Sequence, residues 1–314
     1  MQEDPKRLQR ASLLRTFKKM RKVLNSEIVL LRAAAKSGLS GRGSDTIPLL
    51  LALSDTAVCI DLLARSGAWN DMTILARAFV ERAVNACYLL VCDEMELQGY
   101  FQHAKQKAFR LLDRKIGGSA HTISLGFTGT PAPEGIPSLQ EALGRYTSSS
   151  GKQITHWTKV TIIERINIIS QRGKASPVPF LASVLYVYDQ ASEAIHGTLY
   201  GCTFHAGVWD PCSGVQTVDD AAEYNMDSIL LLFFLFSLMI DELLALLMAF
   251  GDVVGMKAES EKLIKSASKK YDEFLKVLEG SQPSGPDNQG DAEGSKARGW
   301  QSCIKPCQQE SRKE

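Results

Sequence analysis

The stretch "ILLLFFLFSLMIDELLALLMAF", residues 229–250, decides the fold because it is apolar on nearly every side. It is long enough to cross a bilayer. However, the adjacent acids Asp241 and Glu242 fall near its middle, and one central acid costs roughly 2.5–3.5 kcal/mol on membrane insertion. The flanking residues are acidic and carry no cluster of lysine and arginine. The stretch is therefore predicted to be the central helix of a soluble bundle and not a transmembrane span.

The bulk composition is that of an ordinary globular protein. The 314 residues are 45% hydrophobic and 23% charged, with a formal net charge of +1. This length is enough to bury a core, and the near-neutral charge excludes binding of nucleic acid or acidic membranes through overall charge alone. The 7 cysteines show no disulfide spacing and no secretory signal opens the chain. These features predict a reducing, cytoplasmic location.

Helical periodicity runs through most of the chain, and no convincing strand is visible. Ser138 and Glu141 have the spacing of a capping box, which predicts the start of a short helix. Stretches rich in glycine and proline predict loops at 37–48 and 116–137. Apolar residues at steps of three and four predict the other helices over residues 8–36, 49–67, 70–92, 94–115, 158–171, 177–200, 219–250 and 258–278.

The predicted fold is all-α, a single helical bundle with three regions along the chain. Residues 1–36 form a long basic amphipathic helix, and residues 45–279 form the bundle domain. Residues 280–314 are rich in Gly, Pro, Ser and charge, so they are predicted to be a disordered tail. No cofactor and no metal ion are predicted, because phosphate-loop, dinucleotide-fold and zinc-ligand patterns are absent.

Two rows of polar residues fall on helices that otherwise look buried. The first row lies on the third predicted helix and consists of Thr73, Arg77, Glu81 and Asn85. The second lies on the helix at 177–200 and consists of Tyr188, Ser192 and His196. Residues four apart share a helix face, and buried charges need partners, so the rows are predicted to meet as one polar cluster.

This cluster is the candidate catalytic site. Arg77 would hold a phosphate, and His196 would act as acid or base with Glu81 and Ser192 orienting it. Tyr188 is a further member. A structural role for His196 also stays open, because a histidine near a helix C-terminus is favoured by the helix dipole.

Two basic surfaces are candidate contacts for partners. The fourth predicted helix carries a stripe consisting of Tyr100, His103, Lys107, Arg110 and Arg114. This stripe is either a solvated helix face or a contact for phosphate or RNA. The N-terminal helix carries eight bases before its first acid, Glu27: Lys6, Arg7, Arg10, Arg15, Lys18, Lys19, Arg21 and Lys22. This run predicts contact with RNA, an acidic protein or an anionic membrane surface.

The order of three motifs resembles a widespread family of helical proteins of unknown function. The motifs are "RAFVERAVNACYLL", then "HWTKVTIIERINIIS", then "YDQASEAIHG". The resemblance covers roughly residues 45–255 and pairs an Arg-x-x-x-Glu helix with a helix ending in Ser-x-x-x-His. By that likeness the matched positions are Arg77, Glu81, Tyr188, Ser192 and His196.

In general shape this family is similar to HEPN proteins, small helical bundles of toxin–antitoxin and anti-phage systems, many of which are ribonucleases. Their signature is an arginine four to six residues before a histidine on one helix. The chain departs from it, because "DQASEAI" before His196 has no arginine. The likeness therefore implies ribonuclease activity only if Arg77 reaches His196 from the neighbouring helix.

Two functions stay open at this point. In the first, the chain is a non-enzymatic interaction module whose polar cluster fixes helix register and whose helix at 1–36 recruits partners. In the second, it is a HEPN-like ribonuclease, or processes a phosphate ligand, in a bacterial defence or stress system. The sequence predicts neither an oligomeric state nor whether the chain is an enzyme.

Overall fold

The computed structural model describes residues 5–36, 39–118, 121–126, 132–251 and Lys269, with side chains from Arg10 onward. Over these residues the predicted all-α bundle is confirmed. The predicted helix at 258–278, apart from Lys269, and the predicted tail at 280–314 lie outside this description. The helices are α1 (Pro5–Lys36), α2 (Gly41–Ser66), α3 (Trp69–Val91), α4 (Glu94–Arg110), α5 (Pro137–Arg145), α6 (Ile162–Gly173), α7 (Val178–His196), α8 (Leu199–Thr203) and α9 (Val218–Phe250).

Helix α3 lies at the centre and contacts α2, α6, α7 and α9. Its Phe79 stacks on Phe236 of α9 with the ring centroids 4.1 Å apart, and both rings are fully buried. Helices α2 and α9 are each long and apolar enough to cross a membrane by length and composition. The most apolar 18-residue stretch of α9 is 72% buried inside the bundle. That burial is what a central bundle helix requires, and the absence of a membrane span stays a prediction.

Helix α1 packs into the same core, against α2 and α9. Its inner residues Met20, Leu24 and Leu31 are fully buried. The Arg21 guanidinium donates two hydrogen bonds to the carboxylate of Asp61 on α2. Nε donates to Oδ1 at 2.5 Å, and a terminal nitrogen donates to Oδ2 at 3.0 Å. The long amphipathic N-terminal helix is therefore part of the bundle, and the predicted boundaries of the three regions stay predictions.

A small antiparallel hairpin interrupts the helical pattern, so the expectation of no strand was wrong. It joins β1 (Asp113–Gly117) to β2 (Thr122–Gly126), with Ile116 opposite Ile123. The fourth helix accordingly ends at Arg110 and not at 115. The hairpin escaped prediction because each strand has 5 residues, and a short alternation of apolar and polar residues is hard to see within a glycine-rich stretch.

Helix α2 begins at Gly41 and runs through Pro48, so the loop predicted over 37–48 was wrong from 41 onward. A tertiary contact fixes this start. A Cβ on Gly43 would come within 2.8 Å of the Gly251 Cα, so α2 and the end of α9 approach closely because Gly43 has no side chain. The local proline and glycine signals were overridden by packing between residues far apart in the chain.

The capping box predicted at Ser138 and Glu141 was also wrong. Helix α5 begins at Pro137 without a side-chain cap, and Glu141 instead accepts a hydrogen bond from Gln102 of α4 at 2.6 Å. Capping boxes do occur at the start of α6, with Thr161 and Glu164, and at the start of α9, with Thr217 and Asp220.

Candidate functional site

The polar row of α3 lies on the face that meets α6 and α7. Thr73 donates its hydroxyl to the Trp69 carbonyl one turn earlier, at 3.1 Å. Arg77 Nε donates to Glu81 Oε1 at 3.1 Å, and Asn85 accepts a hydrogen bond from an arginine of α6. Each described member of the row therefore has a partner inside the bundle.

Tyr188 of α7 completes the centre of this cluster. The Arg77 guanidinium carbon lies 4.7 Å from the centroid of the Tyr188 ring, a cation–π contact. Burial raises the pKa of Tyr188 well above its ordinary value, and the charge of Glu81 and a hydrogen bond to it raise the pKa further. The Tyr188 hydroxyl therefore stays protonated at neutral pH, beside the Glu81 carboxylate. The side chains of Arg77 and Glu81 remain 31% and 44% exposed, so one edge of the cluster meets solvent.

Arg165 of α6 joins the cluster from the other side and was missed by the sequence analysis. It donates to Asn85, and its guanidinium carbon lies 5.9 Å from the Trp157 ring centroid. Burial lowers the pKa of Arg165, while the nearby Tyr188 and Glu81 oppose the shift. The sequence offered one signal that Arg165 faces the core. It lies one helical turn before the buried Ile169, on the same side of an isoleucine-rich helix.

Ser192 and His196 follow Tyr188 by one and two helical turns. Ser192 is half-buried, whereas His196 is exposed and is the last residue of α7. Eight residues of α-helix span about 12 Å, so His196 lies far along the axis from Tyr188. Over the described part of the chain, no hydrogen bond or ion pair joins Ser192 or His196 to Arg77 or Glu81. The structure thus brings together Arg77, Glu81 and Tyr188 only, and the catalytic roles stay predictions.

The basic stripe predicted on the fourth helix is divided between two elements. His103 Nε2 lies 3.1 Å from the Thr155 carbonyl oxygen, and burial lowers the pKa of His103. Arg110 donates to Thr147 Oγ1 at 2.7 Å, so these two side chains hold the segment after α5 against α4.

Two further members of the stripe, Lys107 and Arg114, differ from each other. Lys107 is half-exposed on α4. Arg114 lies on β1 opposite Leu125, which corrects its predicted place on the helix. A contact of these four residues with phosphate or RNA stays a prediction.

The outer face of α1 is basic. Arg15, Lys18 and Lys22 are exposed there, and among the residues with described side chains no carboxylate lies within ion-pair distance of them. The single acid of this helix, Glu27, is fully buried, and burial raises its pKa well above the ordinary value. A shallow groove of about 400 Å³ follows this face, lined by Lys18, Arg21, Lys22, Asn25, Ser26 and Val29.

Two comparisons of the chain found nothing, and one found a family. Residues 46–211 match a family of unknown function, DUF5677, which confirms the predicted resemblance to an uncharacterised helical family. The matched range contains both polar rows and excludes α1 and α9. No curated protein and no solved structure matches. Across the described ranges, no group of three or more His, Cys, Asp or Glu is placed to hold a metal ion.

Proposed function

The chain belongs to DUF5677, and we propose that it is a non-enzymatic interaction module which binds an acidic protein segment along the outer face of α1. The observation that carries this proposal is the exposed basic row Arg15, Lys18 and Lys22 on a helix anchored in the core, with no carboxylate of the described residues in ion-pair distance of it. A cytoplasmic location remains part of the proposal, whereas the bacterial defence or stress setting belongs to the ribonuclease alternative.

The anchoring of α1 makes this face rigid before any partner arrives. The inner residues of α1 fill the core, and Arg21 is fixed to Asp61. Binding to a preformed surface costs little ordering entropy. A free basic helix would instead have to order its backbone on each encounter.

The face has apolar ends and a basic middle, which favours a protein partner over RNA. Leu14 and Val29 are 43% and 65% exposed, and they bracket Lys18 and Lys22 at helical spacing. RNA binding usually adds exposed aromatic rings on which bases stack. The aromatic residue of this stretch, Phe17, is buried. An acidic amphipathic helix would satisfy both the bases and the apolar ends.

The geometry of the polar cluster supports a structural role for it. Arg77 lies over Tyr188 and pairs with Glu81, so it already has two partners. His196 lies about 12 Å further along the axis of α7 than Tyr188. The ribonuclease alternative needs Arg77 to leave these partners and reach His196, and the interaction module needs no rearrangement.

A charge-reversal experiment tests the proposal. The probe is a fluorescein-labelled amphipathic peptide of glutamate and leucine, titrated by anisotropy at physiological salt. Lys18→Glu/Lys22→Glu is expected to weaken binding about tenfold or more, because two attractive contacts become repulsive. The matched control is Lys152→Glu/Lys159→Glu, which makes the same charge change at exposed sites outside α1.

The outcomes separate the proposal from its competitors. A loss of affinity in the α1 variant alone supports the acidic-protein face. Equal loss in both variants shows that only net charge matters and contradicts the proposal. The chain could instead bind a 20-nucleotide RNA, or vesicles containing phosphatidylserine, more tightly than the peptide. If the α1 variant also loses that binding, the face is assigned to those partners.

A further inference from the structure

Glu27 is a buried acid on the inner side of α1, the helix that carries the proposed binding face. Its side chain has no contact with solvent. Within the part of the chain that the structure describes, neither of its carboxyl oxygens has a hydrogen-bond partner. An ionised carboxylate in such a place is strongly unfavourable, because a buried charge needs a base or several donors to replace its water. Glu27 therefore fits this position only with its proton.

Helix α9, against which α1 packs here, carries no positive charge. Its 33 residues contain no lysine, arginine or histidine. The groups that face Glu27 from α9 are the Ser237 hydroxyl and the Asp241 carboxyl, one turn apart. Ser237 is itself fully buried, and its hydroxyl has no hydrogen-bond partner among the described residues. One hydroxyl and a second acid cannot neutralise a charge on Glu27, so ionisation of Glu27 makes the contact between α1 and α9 unfavourable.

Helix α2 holds α1 through contacts that do not involve Glu27. Its acids Asp61 and Asp55 pair with Arg21 and Arg32 of α1, which lie on either side of Glu27 along the helix. The two bases of α2 are also paired, Arg42 with Glu94 and Arg65 with Asp61. The charges of α2 therefore do not neutralise Glu27, and α1 can separate from α9 while it remains attached to α2.

We propose that the proton on Glu27 holds α1 against α9, so that loss of this proton as the pH rises releases α1 from α9 and weakens binding at its outer face. The inference rests on the proposed function, because it assigns a regulation to the same binding face. Arg15, Lys18 and Lys22 form a fixed row only while α1 is anchored in the core. A released helix has to be ordered again on each encounter with a partner, which costs affinity.

The direction of the pH dependence follows from the state in which Glu27 keeps its proton. In the anchored state burial raises the pKa of Glu27 well above the ordinary value, Ser237 opposes the rise and Asp241 adds to it. In the released state the carboxyl is in water, and its pKa is about 4.3. Between these two values the released state holds one proton fewer, so its equilibrium constant of formation rises up to about tenfold for each pH unit. Below and above this window the constant does not change with pH.

Amide hydrogen exchange of the full chain, followed by mass spectrometry from about pH 5 to about pH 9, tests the release of α1. Glu27→Gln keeps the shape of the side chain and cannot ionise. The exchange rate of α1 in the wild type is divided by its rate in this variant at the same pH, which removes the chemical pH dependence of exchange. The ratio is expected to rise by up to about tenfold for each pH unit and then to level off. The control, Glu134→Gln, changes an exposed acid outside α1 and is expected to behave as the wild type does.

A second variant keeps the test decisive if Glu27→Gln does not fold. Asp241→Asn removes the acid of α9 that raises the pKa of Glu27. The window in which release depends on pH then becomes narrower. Exchange of α1 relative to α3 is therefore expected to stop rising at a lower pH in this variant than in the wild type. A purely structural role of Asp241 would change the exchange by the same factor at every pH.

Binding of the fluorescein-labelled acidic peptide tests whether this release regulates the face. Only anchored α1 presents the basic row, so the apparent affinity falls in proportion to the anchored fraction. The affinity of the wild type relative to Glu27→Gln is expected to fall about threefold or more between pH 6 and pH 9. A peptide that binds neither protein at any pH would remove the proposed function, while hydrogen exchange would still decide whether Glu27 releases α1.

Three results would overturn the inference. The first is an exchange ratio between wild type and Glu27→Gln that is constant with pH. The second is a ratio that grows equally in α3, because the proton would then act on the whole bundle and not on the contact between α1 and α9. The third is a ratio of peptide affinities that stays constant while the exchange of α1 changes, because the anchoring of α1 would then not control its outer face.

Discussion

At the scale of single residues, Tyr188 connects the two polar rows. Its ring lies against the Arg77 guanidinium, and its hydroxyl lies beside the Glu81 carboxylate, which raises the pKa of Tyr188. These contacts fix the position of α7 against α3, which is the structural role expected of a polar cluster between core helices.

Replacing Tyr188 by phenylalanine should therefore lower the free energy of unfolding. The variant keeps the ring beneath Arg77 and loses only the hydroxyl beside Glu81. We expect a loss of about 1 kcal/mol, because that hydroxyl is a polar neighbour of a charged but partly solvated carboxylate. Urea unfolding monitored by circular dichroism measures the change.

The control for this measurement is His196→Ala. His196 is exposed at the end of α7, and exposed substitutions usually change stability by less than about 0.5 kcal/mol. If His196→Ala proves as destabilising as Tyr188→Phe, then His196 has a partner that the geometry does not show, and the structural account of the cluster fails.

The sequence could predict part of this cluster. The Arg77–Glu81 contact follows from their spacing on one helix, and apolar neighbours indicated that the row lies at least partly inside. Arg165 could not be predicted in the same way, because its partner Asn85 lies 80 positions earlier in the chain. Such a contact depends on how α6 packs against α3.

At the scale of elements, Glu27 lies at the contact between α1 and α9. It is fully buried, and burial raises its pKa well above the ordinary value. Asp241 adds to that rise, while the hydroxyl of Ser237 opposes it. Both residues belong to α9. Asp241, one of the two acids that make a membrane span unfavourable, therefore also raises the pKa of Glu27 on α1.

This raised pKa makes the contact sensitive to pH. The folded state holds a proton on Glu27 that the unfolded state releases above about pH 4.3. Stability from this group is therefore complete below that value and is lost as the pH rises toward the raised pKa. Glu27→Gln keeps the shape and removes the titration. We expect the variant to gain stability over the wild type as the pH rises from 4 to 8.

Thermal unfolding at several pH values measures that difference. The control is Glu134→Gln, the same chemical change at an exposed position, which should show no growing advantage. A difference between Glu27→Gln and wild type that is constant with pH would show that Glu27 has the same pKa in the folded and the unfolded state, which contradicts the prediction.

The predicted helices were placed well where the apolar period was long, as in α3 and α9. They were misplaced where tertiary contacts decide the boundary, as at Gly43, whose lack of a side chain admits Gly251. The two true capping boxes start α6 and α9. Ser138 and Glu141 have the same spacing as these pairs, so spacing alone does not show which pairs form a capping box.

At the scale of the whole molecule, charge is separated although the net charge is only +1. The bases of α1 that point toward α2 are paired, Arg21 with Asp61 and Arg32 with Asp55. On the outer face, no carboxylate of the described residues lies within ion-pair distance of Arg15, Lys18 or Lys22. Composition could exclude a strongly basic protein, but it could not show which bases form ion pairs in the fold.

The place of α1 in the core also decides how its binding role can be tested. Removing residues 1–36 would uncover the surface of α9 that α1 covers, where Phe17 stacks on Phe233, so lost binding could follow from lost folding. Charge reversal on the outer face leaves the core unchanged. Surface substitutions therefore separate binding from stability, whereas deletion does not.

The central claim is that the chain acts through the outer face of α1 and not through the polar cluster. The most direct measurement is the affinity for the acidic peptide, taken side by side for wild type, Lys18→Glu/Lys22→Glu and His196→Ala. The account predicts an affinity about tenfold weaker for the α1 variant and unchanged for His196→Ala. Weakened binding in His196→Ala with full binding in the α1 variant would contradict it.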